Sequence, residues 1–213
     1  MTRDELHRVF KILIDKADSA GAPLFLSEEI DRFLNIAQEK FVSKRAFGNN
    51  PRRTSLEEDQ KRRDDLRNLI QNWSISPSIS NIKPDSYQVK LPGNYRHAIN
   101  EEAVLINGKR VGVKPITYDR YNKIVDDPFN KPSDSSAYRL DLGDDKFLLL
   151  SGSKINKYNL TYIANPREIK SKQGCILAKH THLEIVRMAV VEALENVEQP
   201  RYQTSKIELN EIE

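Results

Sequence analysis

The apolar residues of this chain change their spacing twice, and that change limits the folds that the chain can adopt. Up to about residue 73 they recur at the spacing of one face of a helix. From 74 to 166 they come in short runs that alternate with polar residues, between turns rich in Asn and Pro, which is typical of strands. From about 181 to 197 the helical spacing returns. Helices, then strands, then one long helix predict an α+β protein and argue against β-α-β units.

Three helices are expected before the strands. The first spans residues 4–18, and the second begins near Ser27, a good N-cap residue. The third follows Ser55 and Glu58, which stand at the spacing of a capping box, and its apolar residues extend to Trp73.

The middle of the chain is expected to form an antiparallel sheet of about four to six strands. Strands are expected at 87–91, 103–106, 110–113, 138–142, 146–150 and 158–163, and the first and fourth of these alternate apolar with polar residues. Asn107-Gly108 is the strongest short hairpin signal, and Gly143-Asp144-Asp145 predicts another turn. The segment from 117 to 132 predicts a short helical turn and then an extended loop. We expect the N-terminal helices and the long C-terminal helix to pack with this antiparallel β block.

The same pattern predicts four regions within a single structural unit. They are an N-terminal helical region at 1–73, a β-rich region at 74–166, a C-terminal helix at 167–198 that completes the helical layer, and a C-terminal arm at 199–213. The arm carries Ile207, Leu209 and Ile212 among polar residues. Their spacing is that of a strand, so we expect the arm to add to the sheet edge of a neighbouring subunit.

The composition limits the classes of function. Apolar residues make up 38% of the chain and charged residues 31%, so the core is small and much of the surface is polar or covered by other subunits. A balance of 34 basic and 31 acidic residues is not that of a dedicated nucleic-acid binder. Neither a membrane span nor a secretory signal is visible, so we expect assembly in the cytoplasm without membrane contact.

The sequence lacks the motifs of the common catalytic sites. Walker, GxGxxG, GxSxG and HExxH patterns are missing, and the paired acids stand at helix starts or turns without a partnered base. Cys175, His180 and His182 have the side chains of a zinc site, but no fourth ligand is obvious. We expect no enzyme activity, catalytic residue, metal or cofactor. The alternative is a metal-dependent hydrolase at this cluster, which would carry bound zinc.

Four basic residues and no acid occupy the segment from 44 to 53: Lys44, Arg45, Arg52 and Arg53. Contacts with phosphate require only positive charge and reach, so this predicted loop could face DNA. It could equally contact an acidic surface of a neighbouring protein, or remain solvated. We expect these side chains to face a partner or DNA.

Several short motifs follow one another in a characteristic order. They are FLNIAQEKF at 33–41, LPGNY at 91–95, the segment at 118–132, LTYIANP at 160–166 and HLEIVRMAV at 182–190. Together they resemble the head-to-tail connector, or ring, proteins of tailed bacteriophages, most closely those of crAss-like phages. They are more distantly similar to podovirus tail tubular protein A. The resemblance covers the chain from about 26 to 197.

The resemblance implies a structural virion protein and supplies no catalytic residue. It implies a dodecameric ring beneath the portal, at the head-to-tail interface of the virion, where the ring joins capsid to tail and extends the DNA channel. The implied partners are copies of the chain, the portal protein, other connector or tail ring proteins, and DNA in the channel. The alternative is a small DNA-binding accessory protein, whose affinity for duplex DNA would depend steeply on salt.

Overall fold

A computed structural model describes residues 1–15, 25–47, 60–80, 82–83, 85–171 and 173–196. The chain divides into two compact units. Met1–Leu69 and Pro166–Glu213 form one, the helical unit, and Ile70–Asn165 forms the other, the β unit. The helical unit is therefore assembled from two separate stretches of sequence. The predicted α+β class and the long C-terminal helix are confirmed.

Five helices lie in the described parts of the chain. They are α1 (Arg3–Asp15), α2 (Ser27–Phe47), α3 (Gln60–Leu66), α4 (Tyr118–Asp126) and α5 (His182–Asn196). All but α4 belong to the helical unit. Helix α5 packs on α1 and α2, and α2 also contacts α3. Buried residues repeat along α1 at Leu6, Phe10 and Ile14, which is the four-residue spacing of one helix face.

Side chains satisfy the free backbone groups at the starts of α1 and α2. The Thr2 hydroxyl accepts from the Glu5 amide at 3.3 Å, and the Glu5 carboxylate accepts from the Thr2 amide at 2.9 Å. This is a complete capping box. At α2 the Glu29 carboxylate accepts from the Leu26 amide at 2.8 Å, so the cap lies one residue before the predicted Ser27.

An ion cluster joins α1 to α2. The Arg3 guanidinium donates to the Asp31 carboxylate through Nε at 2.9 Å and Nη2 at 2.8 Å, and His7 Nε2 lies 2.7 Å from the same carboxylate. Burial opposes ionisation of Asp31, but the hydrogen bonds from Arg3 and His7 outweigh it and lower the pKa of this carboxyl. The cluster therefore favours the charged carboxylate in the folded chain.

The third helix ends earlier than predicted. It ends at Leu66, a 3-10 turn follows at Arg67–Leu69, and a strand begins at Ile70. The expected helix up to Trp73 is wrong because this stretch pairs with a distant strand, in a register that joins Ile70 to Ile163. The predicted capping pair at 55 and 58 lies outside the described residues.

The β unit holds one eight-stranded sheet in the order β1-β8-β4-β5-β6-β7-β3-β2. The strands are β1 (Ile70–Ile75), β2 (Ser78–Ile79), β3 (Ser86–Lys90), β4 (Tyr95–Leu105), β5 (Arg110–Ile116), β6 (Ala137–Gly143), β7 (Lys146–Leu150) and β8 (Ile155–Ala164). The prediction of an antiparallel sheet with four to six strands needs two corrections. More strands are present, and β5 pairs with β6 in parallel. A parallel pair requires a crossover, which α4 and the turn after it provide.

The sheet is curled, as its strand order requires. Strands β1 and β2 lie at opposite ends of the order, yet only Ser76 and Pro77 separate them in sequence. So short a link spans at most about 11 Å, which brings one end of each edge strand close to the other. Buried side chains from β3 to β8 fill the inside of the curl, among them Phe147 and Tyr158. Tyr121 and Ile124 of α4 cover part of a second buried cluster on β6 and β7.

Both predicted turns are confirmed. Gly108 has φ +80° in the β4–β5 hairpin, where a backbone in the left-handed region favours glycine. Between β6 and β7, Gly143, Asp144 and Asp145 have φ +75°, +49° and +55°. Aspartate tolerates this conformation better than most residues, which explains its use there.

Candidate assembly surfaces

The residues predicted to contact partners are only partly within the described chain. Lys44 and Arg45 lie in the last turn of α2, where positive charge complements the helix dipole. The remaining predicted contact residues lie outside the described residues: Arg52, Arg53, Ile207, Leu209 and Ile212. Their roles therefore stay predictions.

Arg45 is buried in an ion cluster that links three helices. Its Nη2 donates to both oxygens of Glu184 on α5, at 2.8 and 3.1 Å. Its Nε lies 2.9 Å from Asp65 Oδ2 on α3. The two atoms are not aligned for a hydrogen bond, so their interaction is an ion pair. The Arg45 guanidinium also lies over the Phe41 ring, 5.0 Å from its centroid.

Arg45 is buried, whereas its predicted role at a partner surface requires an exposed side chain. Only 10% of its side chain is exposed, whereas Lys44 beside it is exposed. Asp65 is more deeply buried still, at 3%, and His180 Nε2 lies 2.8 Å from its other oxygen. The sequence could not reveal this cluster, because Arg45, Asp65 and Glu184 come from three helices far apart along the chain. In the described chain Arg45 holds helices together.

The three residues weighed as zinc ligands have separate protein partners. The Cys175 thiol donates to Gln38 Oε1 at 3.3 Å, and His180 contacts Asp65. The Nε2 of His182 lies 2.9 Å from the Leu177 carbonyl oxygen. Burial raises the pKa of Cys175 and lowers that of His182, which favours the neutral form of each. Nowhere in the described ranges do three His, Cys, Asp or Glu side chains converge as metal ligands would.

A second buried charge cluster lies in the β unit. The Tyr158 hydroxyl donates to Glu101 Oε2 at 2.6 Å, and Arg139 Nη1 lies 3.1 Å from Oε1. The Arg139 guanidinium stacks over the Phe147 ring at 4.2 Å. Burial raises the pKa of Glu101, while Arg139 and Tyr158 act in the opposite direction. Both carboxylate oxygens are engaged, so the arrangement fits a structural link between strands better than a free general base.

The most exposed large apolar side chain in the described chain is Phe129, at 95%. It stands in the turn after α4, and two residues of that helix, Tyr118 and Val125, are exposed at 62% and 37%. Tyr118 and Val125 share a helix face because they stand seven positions apart, about two helical turns. We call Tyr118, Val125 and Phe129 the Phe129 patch. Large contiguous exposed apolar patches mark surfaces that other molecules cover, which makes these side chains a candidate contact surface.

The turn that carries Phe129 is held in place by hydrogen bonds that do not involve its ring. The Asp127 carboxylate accepts from the Phe129 amide at 2.9 Å and from Asn130 Nδ2 at 2.6 Å. The Lys131 amide donates to the Asp127 carbonyl at 2.9 Å, and the Tyr138 hydroxyl donates to the Asn130 carbonyl at 2.6 Å. The Asn130 and Phe129 bonds lower the pKa of Asp127. The turn is thus defined without any packing of the phenyl ring.

The exposure of Phe129 was not predicted from the sequence. The available signal was a phenylalanine surrounded by turn-forming residues, in the segment DDPFNKP at 126–132. An aromatic residue in such a turn has no strand or helix face to bury it. Its exposure follows from that position.

Among the described residues, no helix combines the length and the apolar character that crossing a bilayer requires. The sequence pattern of a known family, phage tail ring protein 3/4, matches residues 1–204. The chain is also similar to ring protein 3 of Bacteroides phage crAss001. The two are 26% identical over 180 residues, which cover 79% of this chain and 78% of that relative. The predicted resemblance to ring proteins of crAss-like phages is confirmed.

Proposed function

Since the chain belongs to the phage tail ring protein 3/4 family, we propose that its copies form a ring in the connector between capsid and tail of a virion. The observation that carries this proposal is the family match, which covers both the helical unit and the β unit. The family is one of phage ring proteins, which supports the proposal that the chain is structural and has no enzyme activity.

The proposed position is below the portal protein, in a dodecameric ring that extends the DNA channel. Its proposed partners are other copies of the chain, the portal, the neighbouring connector or tail rings, and the DNA that passes through. A cyclic ring uses heterologous contacts, in which one surface of a subunit binds a different surface of the next. Exposed apolar side chains in both units support this proposal, among them Ile36 and Phe129.

Two parts of the chain are proposed to contact partners. Lys44, Arg52 and Arg53 form the proposed basic contact, and Arg45 is set apart because carboxylates already hold its guanidinium. Reversing these three charges should disturb attachment or DNA passage, and normal assembly and infection would mean that they are solvated surface. The arm with Ile207, Leu209 and Ile212 is proposed to add to a neighbour's sheet edge. Unchanged rings after deletion of 199–213 would contradict that role.

Electron microscopy of virions tests the proposed function directly. We expect a ring with twelve-fold symmetry at the tail vertex, labelled by an antibody against this chain. A chain absent from particles that stays a monomer would refute the proposal. Steeply salt-dependent duplex binding by the free subunit would instead favour the DNA-binding accessory protein.

A further inference from the structure

We propose that Phe129 of one copy docks into a depression beside Ile36 on the next copy, and that this contact forms the centre of the ring interface. The inference rests on the proposed ring function and adds to it the two surfaces that meet.

Phe129 has the properties of an interface anchor. Its side chain is almost fully exposed, and the turn beneath it is fixed by hydrogen bonds of Asp127 and Tyr138. A partner that covers the ring therefore gains apolar burial without first ordering the backbone. Large aromatic side chains at the centre of an interface commonly carry much of its binding energy.

The charges around Phe129 favour a protein partner. Helix α4 and the turn after it carry three acidic and three basic side chains, so their charges cancel: Asp119, Asp126, Asp127, Arg120, Lys123 and Lys131. A nucleic acid or an anionic membrane would select for a surface of uniformly positive charge, whereas an apolar centre with a mixed rim is typical of protein interfaces.

A complementary surface is available on α2 of the same chain. A depression of about 350 Å³ is lined by Ile36, Glu39, Lys40 and Pro166, among others. Ile36 is 44% exposed there. Enclosed apolar cavities of only about 150 Å³ already accept benzene, so this space is large enough for a phenyl ring. Its rim again carries both signs of charge, which suits a rim such as that of the Phe129 patch.

The size of the Phe129 patch favours a ring over a stable pair. Each aromatic side chain buries about 150–250 Å², so the two of the patch fall short of the about 800 Å² that a standard interface buries on each partner. The patch is therefore too small to hold two copies together alone. In a closed ring every subunit uses both the patch and the depression, so a modest contact is repeated around the whole assembly.

Pairs of single-cysteine chains can test the contact. In a full-length Cys175→Ser background, one chain carries Lys131→Cys, next to the Phe129 turn, and the other carries Glu39→Cys, beside the depression. Phe129 and Ile36 remain intact in both. Since each chain has one thiol, a short bis-maleimide can link position 131 to position 39 only between different molecules. A Lys109→Cys chain, with its thiol in the β4–β5 hairpin, replaces the Lys131→Cys chain as the control.

We expect the 131–39 product to exceed the 109–39 product at least tenfold, and Phe129→Ala in the Lys131→Cys chain to reduce it to the control amount. Because the Phe129 side chain is exposed, Phe129→Ala should leave the thermal unfolding midpoint unchanged. A 131–39 product no greater than the control, or one unaffected by Phe129→Ala, would overturn the docking proposal. Twelve-fold rings in virions alongside that result would leave the proposed function standing.

Discussion

The buried ion cluster at Arg45 predicts a large loss of stability when its cation is removed. Arg45→Ala leaves Asp65 and Glu184 without their guanidinium, with side chains only 3% and 15% exposed. Removing one partner of a buried ion pair costs about 3–5 kcal/mol, because the remaining charge stays buried without its cation. The contact between His180 and Asp65 remains in this variant. We therefore expect the free energy of unfolding of the helical unit to fall by about this amount.

A matched control lies on the same helix. Lys40 on α2 also pairs with an acid of α5, Glu192, at 2.6 Å, but 53% of the Lys40 side chain is exposed. Exposed pairs contribute about 0–1 kcal/mol, so Lys40→Ala should have little effect. Both variants remove one positive charge of α2 that pairs with α5, but only Arg45 is buried, and it also contacts Asp65 and Phe41. Their difference therefore measures the buried cluster as a whole.

Urea denaturation followed by far-ultraviolet circular dichroism measures both variants. The circular dichroism signal of the helices follows unfolding of the helical unit. The midpoint and slope of the urea curve give the free energy of unfolding of each variant. Arg45→Lys adds a further comparison, because an ammonium cannot reach two carboxylates with a planar fork. If Arg45→Ala and Lys40→Ala lose the same stability within about 0.5 kcal/mol, the argument from burial is refuted.

Three further predictions concern other parts of the chain. Because the pKa of Asp31 is lowered in the folded chain, its carboxylate stabilises the fold at pH values above the ordinary carboxyl pKa, and this stability is lost as the pH falls through the lower folded pKa. Asp31→Asn should therefore flatten the acid side of a curve of stability against pH. An unchanged acid side would contradict this prediction. Tyr158→Phe removes a donor from buried Glu101 and should cost about 1–3 kcal/mol in urea denaturation; a neutral effect would mean that the bond is dispensable. A Cβ at Gly152 would lie 2.7 Å from a backbone Cα, whereas one at Gly112 would meet nothing within 4 Å. In thermal unfolding, Gly152→Ala should therefore lower the midpoint well below that of Gly112→Ala, and equal midpoints would rule out the clash.

The elements that sequence analysis predicted well are those fixed by neighbouring residues. The hairpin at Asn107-Gly108 and the turn at Gly143 depend on backbone preferences of two or three adjacent residues. The long helix α5 depends on apolar spacing within a single segment. Such signals are local, so they can be read without knowing what the segment packs against.

The features that sequence analysis missed depend on distant partners. The residues from Leu66 to Trp73 fit a helical spacing, and only pairing with β8 makes Ile70–Ile75 a strand. The parallel contact of β5 and β6 likewise depends on the path of the chain through α4. Lys44 and Arg45 were both predicted as contact residues from charge alone. That pattern could not show that Lys44 is exposed and Arg45 is buried. A run of charged residues in the sequence shows only composition. Whether one of these side chains is buried depends on the acidic residues that other helices place beside it.

The split of the helical unit into two stretches determines when the chain can finish folding during synthesis. The β unit is continuous, so it can fold once Asn165 has left the ribosome. Helices α1 and α2 are made first, yet they pack on α5, which ends at Asn196. At about 5–20 residues per second, the 31 residues from 165 to 196 add roughly 2–6 s. The apolar faces of the oldest helices therefore stay uncovered until α5 has been made, and a chain truncated before α5 offers its neighbours no finished α2 surface.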